Sequence, residues 1–361
     1  MIFDVSRSGI AYSVDRRVFV SSVRDHVWRP INRPMFGVAD SISERIRAEE
    51  WRWPGLLTPV SQGPTLLVVS DYAGDHSRSR FHSICVLVAD LAYLWYWDEV
   101  RIELRRDVLR DSRRLEYKKL ESDHRRARAL VPFLRASNSI PGLLITFLID
   151  KRIKTLFSPD AETDPSIQPA INRDHWGAKA FEKLFRIAHL GSLLVSGLVG
   201  ERQDVLWVSD QDEIVPNDAR HIEACKLLGQ VQSHYLNTPI GRLQFGTTRS
   251  DDGSLRLEDI AALPDLAAGC LADVATSMAV SGAMSANEVL TPMSRDISKK
   301  AQTITAWLAE KSHTLKKLAF VIDFVPPDLF KSKLFSMFGE GLIPEYNCVP
   351  DLARRLRRQN G

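Results

Sequence analysis

Four acidic residues could act together in this chain: Asp71, Glu116, Asp210 and Asp265. Asp71 ends the apolar run Leu66-Leu67-Val68-Val69-Ser70 and opens the turn Tyr72-Ala73-Gly74-Asp75. A run of this length suffices for a buried strand. Asp210 closes a second run, Val205 to Ser209. Glu116 lies within Leu115-Glu116-Tyr117-Lys118, in a basic stretch. Asp265 follows Pro264 in Pro264-Asp265-Leu266-Ala267-Ala268-Gly269, which reads as the first turn of a helix. Proline is favourable there, and a carboxylate complements the helix dipole. Gathered carboxylates repel, so one must take a proton unless cations neutralise them. Mg²⁺ or Mn²⁺, hard ions that take oxygen ligands, are the natural neutralisers. Two such ions about 4 Å apart can promote phosphodiester cleavage. Lys118, two residues after Glu116, is placed to hold a phosphate. Each acid also has a plain structural use: a turn cap for Asp71, an exposed helix acid for Glu116, part of an N-cap cluster for Asp210 and a dipole partner for Asp265. Asp150, after the run Leu143 to Ile149, is a rival ligand.

Other chemistries lack their signatures. There is no Gly-x-x-x-x-Gly-Lys-Ser/Thr, no Gly-x-Gly-x-x-Gly after a strand, no His-Glu-x-x-His and no Gly-x-Ser-x-Gly. The nine histidines are dispersed, which speaks against a histidine-rich zinc site. Cys85, Cys225, Cys270 and Cys348 form no Cys-x-x-Cys pair and read as reduced thiols of a cytoplasmic protein. Asp4 and Arg7 stand where a signal peptide needs apolar residues. The greasy stretches Ile84 to Trp97 and Ile187 to Val199 are shorter than the ~20 residues a membrane helix requires. The expected location is therefore the cytoplasm, away from membranes.

The elements that must position the acids follow from periodicity. A helix is expected from Ser41 to Trp51, with Ser41 as N-cap and Glu44 completing a capping box. Strands are expected at 65–71, 81–90, 143–149, 205–209, 241–247 and 318–324. A long charged helix is expected from roughly 97 to 131, stopped by Pro132. Further helices are expected from Asp174 through Ala188, from Asp218 to Leu236, from about Glu258 to Met278 and near 296–311, with short helical pieces after 324. Ser158 to Pro169 reads as a polar loop. Mixed strand and helix order points to an α/β domain around one sheet, and 361 residues can bury a substantial core.

Charge is uneven. Apolar residues make up 44% of the chain and charged residues 26%, an ordinary balance for a globular protein, with a net charge of only +3. From Arg101 to Arg135, however, twelve Lys or Arg face six Asp or Glu. Local positive charge of this kind attracts a polyanion. The candidates are Arg105, Arg106, Arg113, Arg114, Lys118, Arg125, Arg126 and Arg128, of which only a subset can face one side of a helix. The alternative is a solvated face of interleaved charges.

Asp71-Tyr72-Ala73-Gly74, Glu116-Tyr117-Lys118, Val208-Ser209-Asp210-Gln211-Asp212 and Leu263-Pro264-Asp265-Leu266-Ala267-Ala268-Gly269 resemble the motifs of the bacterial domain-of-unknown-function family 3800. The resemblance covers about residues 65 to 281. It implies an RNase H-like α/β fold, a mixed sheet flanked by helices with N- and C-terminal extensions. RNase H-like nucleases place their first metal ligand at the end of a central strand beside a hairpin, the position of Asp71. It also implies that Asp71, Glu116, Asp210 and Asp265 form the acidic metal site. Tyr72 and Ala73 stand where that family commonly has Glu and Ser. The expected organisation is an extension at 1–61, the RNase H-like domain at 62–281 and a mostly helical extension at 282–361. The expected activity is Mg²⁺- or Mn²⁺-dependent cleavage of DNA or RNA. Two other readings are a nucleic-acid-binding module with a degenerate site, and a scaffolding subunit whose partner surface is Trp51-Arg52-Trp53-Pro54.

Overall fold

The central strand, β1 (Thr65–Ala73), pairs antiparallel with β2 (Phe81–Asp90), with Asp71 opposite Cys85. β3 (Gly142–Asp150) is buried along its whole length and pairs antiparallel with β2. On the other side of β1, β4 (Asp204–Ser209) runs parallel to it, and β5 (Leu243–Thr247) runs parallel to β4. The two-residue β6 (Val289–Leu290) lies at the far edge, next to a later hairpin. That hairpin is β7 (Leu315–Val325), parallel to β3, and β8 (Leu329–Met337), antiparallel to β7. The order across the sheet is β5-β4-β1-β2-β3-β7-β8-β6. The structure, a computed structural model, describes residues 26–31, 37–157, 176–210, 217–282, 284, 289–290, 297–310, 314–326 and 329–337.

Side chains alternate across a pleated sheet, and here both faces are apolar, so both must be covered. Leu66, Val68, Val86 and Ile145 face α1 (Gly37–Arg52), α4 (Ala178–Leu198) and α5 (Asp218–Tyr235). Leu67, Val69, Leu87 and Leu144 face α2 (Trp95–Leu104), α3 (His124–Ser137), α6 (Arg256–Val280) and α7 (Lys299–Ala309). The result is an α/β fold of three layers. α6 is apolar and long enough to cross a membrane by length and composition, yet 78% of its apolar window is buried inside the fold. It is the core helix beneath β1 and β2.

The strands and most helices lie where periodicity puts them, with five corrections. The helix expected over 97–131 is broken. α2 widens into a π-turn at Arg105–Leu109, Arg110 takes a left-handed φ of 56°, and α3 begins only after the Asp123 cap. The cause is tertiary. Arg101 and Arg105 are drawn onto the buried Asp259 of α6, and the carbonyls of Asp111 and Arg113 wrap the Arg105 guanidinium, each at 3.1 Å. Pro132 does not stop a helix; it lies inside α3. Ser41 is not an N-cap but sits within α1, where its hydroxyl meets Ser332 at 2.6 Å. Pro264 and Asp265 are not in a first turn, because α6 has already begun at Arg256. Within 282–361 the described elements are one helix and three strands, with β8 where short helical pieces were expected, and β7 continues the same sheet. Ser158 to Pro169, Asp174 and Cys348 lie outside the described residues. Cys85 and Cys270 are buried free thiols, as expected.

Candidate active site

β1 and β4 bring the first two acids together. They pair in parallel with Ser70 beside Ser209, so Asp71 and Asp210 are the next residue along each. Neighbouring strands lie about 4.8 Å apart. The Asp210 N–H donates to the Ser70 carbonyl at 3.4 Å and keeps the chains in step there. Asp265 approaches from α6, and its Oδ2 accepts the Tyr117 backbone N–H at 2.7 Å. That bond depends on small residues in α6. Gly269 lies one turn beyond Asp265 on the same helix face. A Cβ at 269 would come within 2.4 Å of Tyr117 Cδ1, so only glycine lets the Tyr117 segment lie this close. Glu116 is the extended residue before the short 3₁₀ turn Tyr117–Lys119.

The centre of the group is Arg114. Its Nη1 donates to Asp210 Oδ1 at 2.6 Å and its Nη2 to Asp71 Oδ2 at 3.1 Å, while Nε lies 3.4 Å from Glu258 Oε2. Arg126 holds this segment in place by donating to the Arg114 carbonyl at 2.6 Å, and its guanidinium lies 3.6 Å from Glu116. Thr248 Oγ1 donates to Asp210 Oδ1 at 3.3 Å. Burial holds the Asp71 carboxyl well above the usual carboxylate range; Asp265 and Asp210 push the same way, against Arg114 and the Tyr72 N–H. Burial likewise pushes Asp265 up to about 6; the Tyr117 N–H and Arg114 oppose it, and Asp210 and Glu116 add to it. Burial also raises Glu258. Burial works against the charge of Arg114, but the surrounding acids outweigh it and hold its pKa above the ordinary value.

The four acids expected from sequence thus influence one another electrostatically, and Lys118 lies exposed on the turn after Glu116. Asp150 does not join them; it is paired with Arg80 at 3.2 Å and Arg152 at 2.7 Å. Tyr72 packs on the opposite face of the sheet from Asp71, bonded through its hydroxyl to Ser209 and stacked beneath the Lys183 ammonium. An acid at position 72 would therefore face away from Asp71, and the departure from the family motif removes no carboxylate from this group. Glu258 and Thr248 were not foreseen. The available signal for Glu258 was its place two helical turns before Asp265, on one face of α6.

The basic stretch is consumed only in part within the fold, and several of its ion pairs lie at the surface. Arg105 is held by Asp259, Arg106 by Asp107, Arg113 by Asp111 and Asp123, and Arg126 by Asp123. Arg114 belongs to the acidic group. Arg106, Arg110, Arg113, Lys118, Lys119, Arg125, Arg128 and Arg135 remain exposed, Arg125 lying 3.4 Å from Asp111. Among the described residues no group of three or more His, Cys, Asp or Glu is arranged to hold a metal ion; in this arrangement the Arg114 guanidinium stands between Asp71 and Asp210. No protein-family model matches the chain, and no curated protein matches it.

Proposed function

We propose that the protein is a divalent-metal-dependent nuclease of RNase H-like fold that cleaves DNA or RNA. The observation that carries this reading is the meeting of Asp71, Asp210 and Asp265, from β1, β4 and α6, where burial holds the Asp71 and Asp265 carboxyls above their usual range. Asp71 on a central strand, beside the β1–β2 hairpin, supports the RNase H-like part of the reading. The donor set consists of carboxylate oxygens, which suits Mg²⁺ or Mn²⁺. Asp71, Asp210 and Asp265 would hold the ion, with Glu116 at its edge. When bound, it supplies Lewis-acid activation of the phosphodiester. The chain itself fixes the carboxylates at one strand end and keeps the Tyr117 N–H on Asp265. Arg114, turned from Asp71 and Asp210, would present a planar fork of donors to phosphate oxygens.

Arg114 also favours a second reading. If the guanidinium is the permanent counter-ion of Asp71 and Asp210, the protein is a nucleic-acid-binding module that cuts nothing. The deciding experiment compares wild type with Asp71→Asn for Mn²⁺-dependent cleavage of single- and double-stranded DNA and RNA, and for the melting shift produced by Mn²⁺. Cleavage and a shift in wild type, both lost in Asp71→Asn with the fold intact, are expected. A wild type that cuts none of these substrates and shows no shift leaves the second reading in place.

A further inference from the structure

On the opposite face of the sheet, at the same end of β1, lies a cleft of about 410 Å³ walled by Tyr72. Among the described residues its lining includes the cations Lys151, Lys154, Lys179, Lys183 and Arg186 and two carboxylates, Asp75 and Glu182. Those two acids are already engaged. Glu182 takes Arg186 Nε at 2.6 Å and the Leu156 N–H at 3.0 Å. Asp75 is shared by Lys183 at 3.2 Å, His82 at 3.4 Å and Lys179 at 3.9 Å, and these contacts, the His82 bond first, hold its carboxyl far below the usual range. Lys151 donates to the His76 carbonyl at 2.7 Å, and neither Lys151 nor Lys154 has a carboxylate at ion-pair distance among the described residues. Burial makes the Lys151 ammonium easier to deprotonate; Asp75 opposes this, and Lys179 adds to it more weakly.

A second feature converges on the same space. Ala178 and Lys179 open the 21-residue helix α4, and its N-cap is Gly177, which has no side chain to accept from the first-turn amides. Free amides at a helix start favour an anion. The volume is that of a small-ligand pocket rather than of a surface dent. Excess positive charge, a helix start and a concave wall all specify a phosphate-sized anion.

We propose that this cleft binds a phosphate of a nucleic-acid backbone. The anion chemistry stands by itself, while the choice of a backbone phosphate rests on the nuclease reading above. Asp71 and Tyr72 are consecutive residues on opposite faces of the sheet. A polynucleotide crossing the sheet end past residues 71–75 would meet the carboxylate group on one side and the basic cleft on the other. The cleft then shares the grip on the polymer with the exposed cations of the Arg101–Arg135 stretch.

The test uses the full chain in EDTA, with a fluorescein-labelled oligothymidylate and inorganic pyrophosphate as probes. The double variant Lys154→Glu/Lys179→Glu alters exposed side chains, and an unchanged melting curve verifies its fold. Oligonucleotide affinity is expected to fall at least tenfold, with a salt slope shallower by about 0.7 for each phosphate the variant no longer neutralises. Pyrophosphate affinity is expected to fall in parallel. Should the variant fail to melt like wild type, Lys154→Gln/Lys179→Gln takes its place, with a smaller fall in the same direction expected. Loss of pyrophosphate binding with oligonucleotide binding unchanged overturns the backbone assignment in favour of a free phosphate compound. Wild-type affinity for both probes in the variants overturns the site. Metal-free binding is independent of cleavage, so an inactive protein whose binding falls in the variant keeps the cleft and loses only the nuclease reading.

Discussion

Replacing Arg114 with Gln separates a metal-binding acidic group from one permanently neutralised by its own guanidinium. Arg114 contacts three carboxylates, at 2.6, 3.1 and 3.4 Å, and is only 18% exposed. Removing one partner of a buried ion pair costs about 3–5 kcal/mol. Asp210 is 23% exposed, so water recovers part of this loss, and about 2–3 kcal/mol is the reasonable figure. Part of the loss is also avoided because burial already makes the Asp71 and Asp265 carboxyls easier to protonate than usual. At about 2–4 °C per kcal/mol, melting in EDTA should drop by roughly 4–12 °C. Mn²⁺ should then recover more in the variant than in wild type, since no guanidinium has to be displaced. An ion at a hundred times its dissociation constant adds about 2.7 kcal/mol, enough to restore most of the loss. The assay is scanning calorimetry of both proteins in EDTA and in MnCl₂. If Mn²⁺ shifts neither protein, the carboxylates are not a metal site. If melting in EDTA is the same for both, Arg114 is not the counter-ion that its contacts describe.

Three further outcomes are expected. Gly269→Ala should destabilise by about 1–3 kcal/mol, because a Cβ 2.4 Å from the Tyr117 ring overpacks that contact. The ring cannot swing aside, being tied to Asp273 at 2.8 Å, so the Tyr117 N–H should be pulled from Asp265 and the Mn²⁺ melting shift reduced; an unchanged melting curve would falsify this account of the small-residue helix. Burial pushes Lys317 down to about 7. The unfolded chain, with lysine near 10.4, then binds the extra proton between these values, so stability should rise with pH from about 7 to about 10. Lys317→Met should abolish that rise in urea melts taken across this range, and a persisting rise would assign it to other groups. Arg125→Glu with Arg128→Glu tests the exposed cations at the start of α3, since Arg126 is committed to Asp123 and to the Arg114 carbonyl. If both touch phosphate, the salt slope should flatten by about 0.7–0.9 for each, and an identical slope means that this face is merely solvated.

The α/β class was legible in the sequence, because runs such as Leu66–Ser70, Leu143–Ile149 and Val205–Ser209 are apolar on both sheet faces and can only be internal strands. Asp71 and Asp210 were legible as residues at strand ends, and Glu116 and Asp265 only as members of short motifs. Their grouping was not. It depends on the parallel register that sets Ser70 beside Ser209, and on the depth at which Asp265 sits within α6 rather than at its start. The break at Arg105–Leu109 escaped periodicity for a similar reason. Local propensity favours continuing the helix, but Asp259, 154 residues away, draws in the Arg105 guanidinium, and the following carbonyls close around it. The same long-range pairing turned Arg105 and Arg114 from candidate polyanion contacts into internal counter-ions. Composition therefore determined which charges the chain carries and which segments must be internal. Only the tertiary structure decided which charges meet, because burial strengthens an ion pair according to its surroundings and not its separation along the chain.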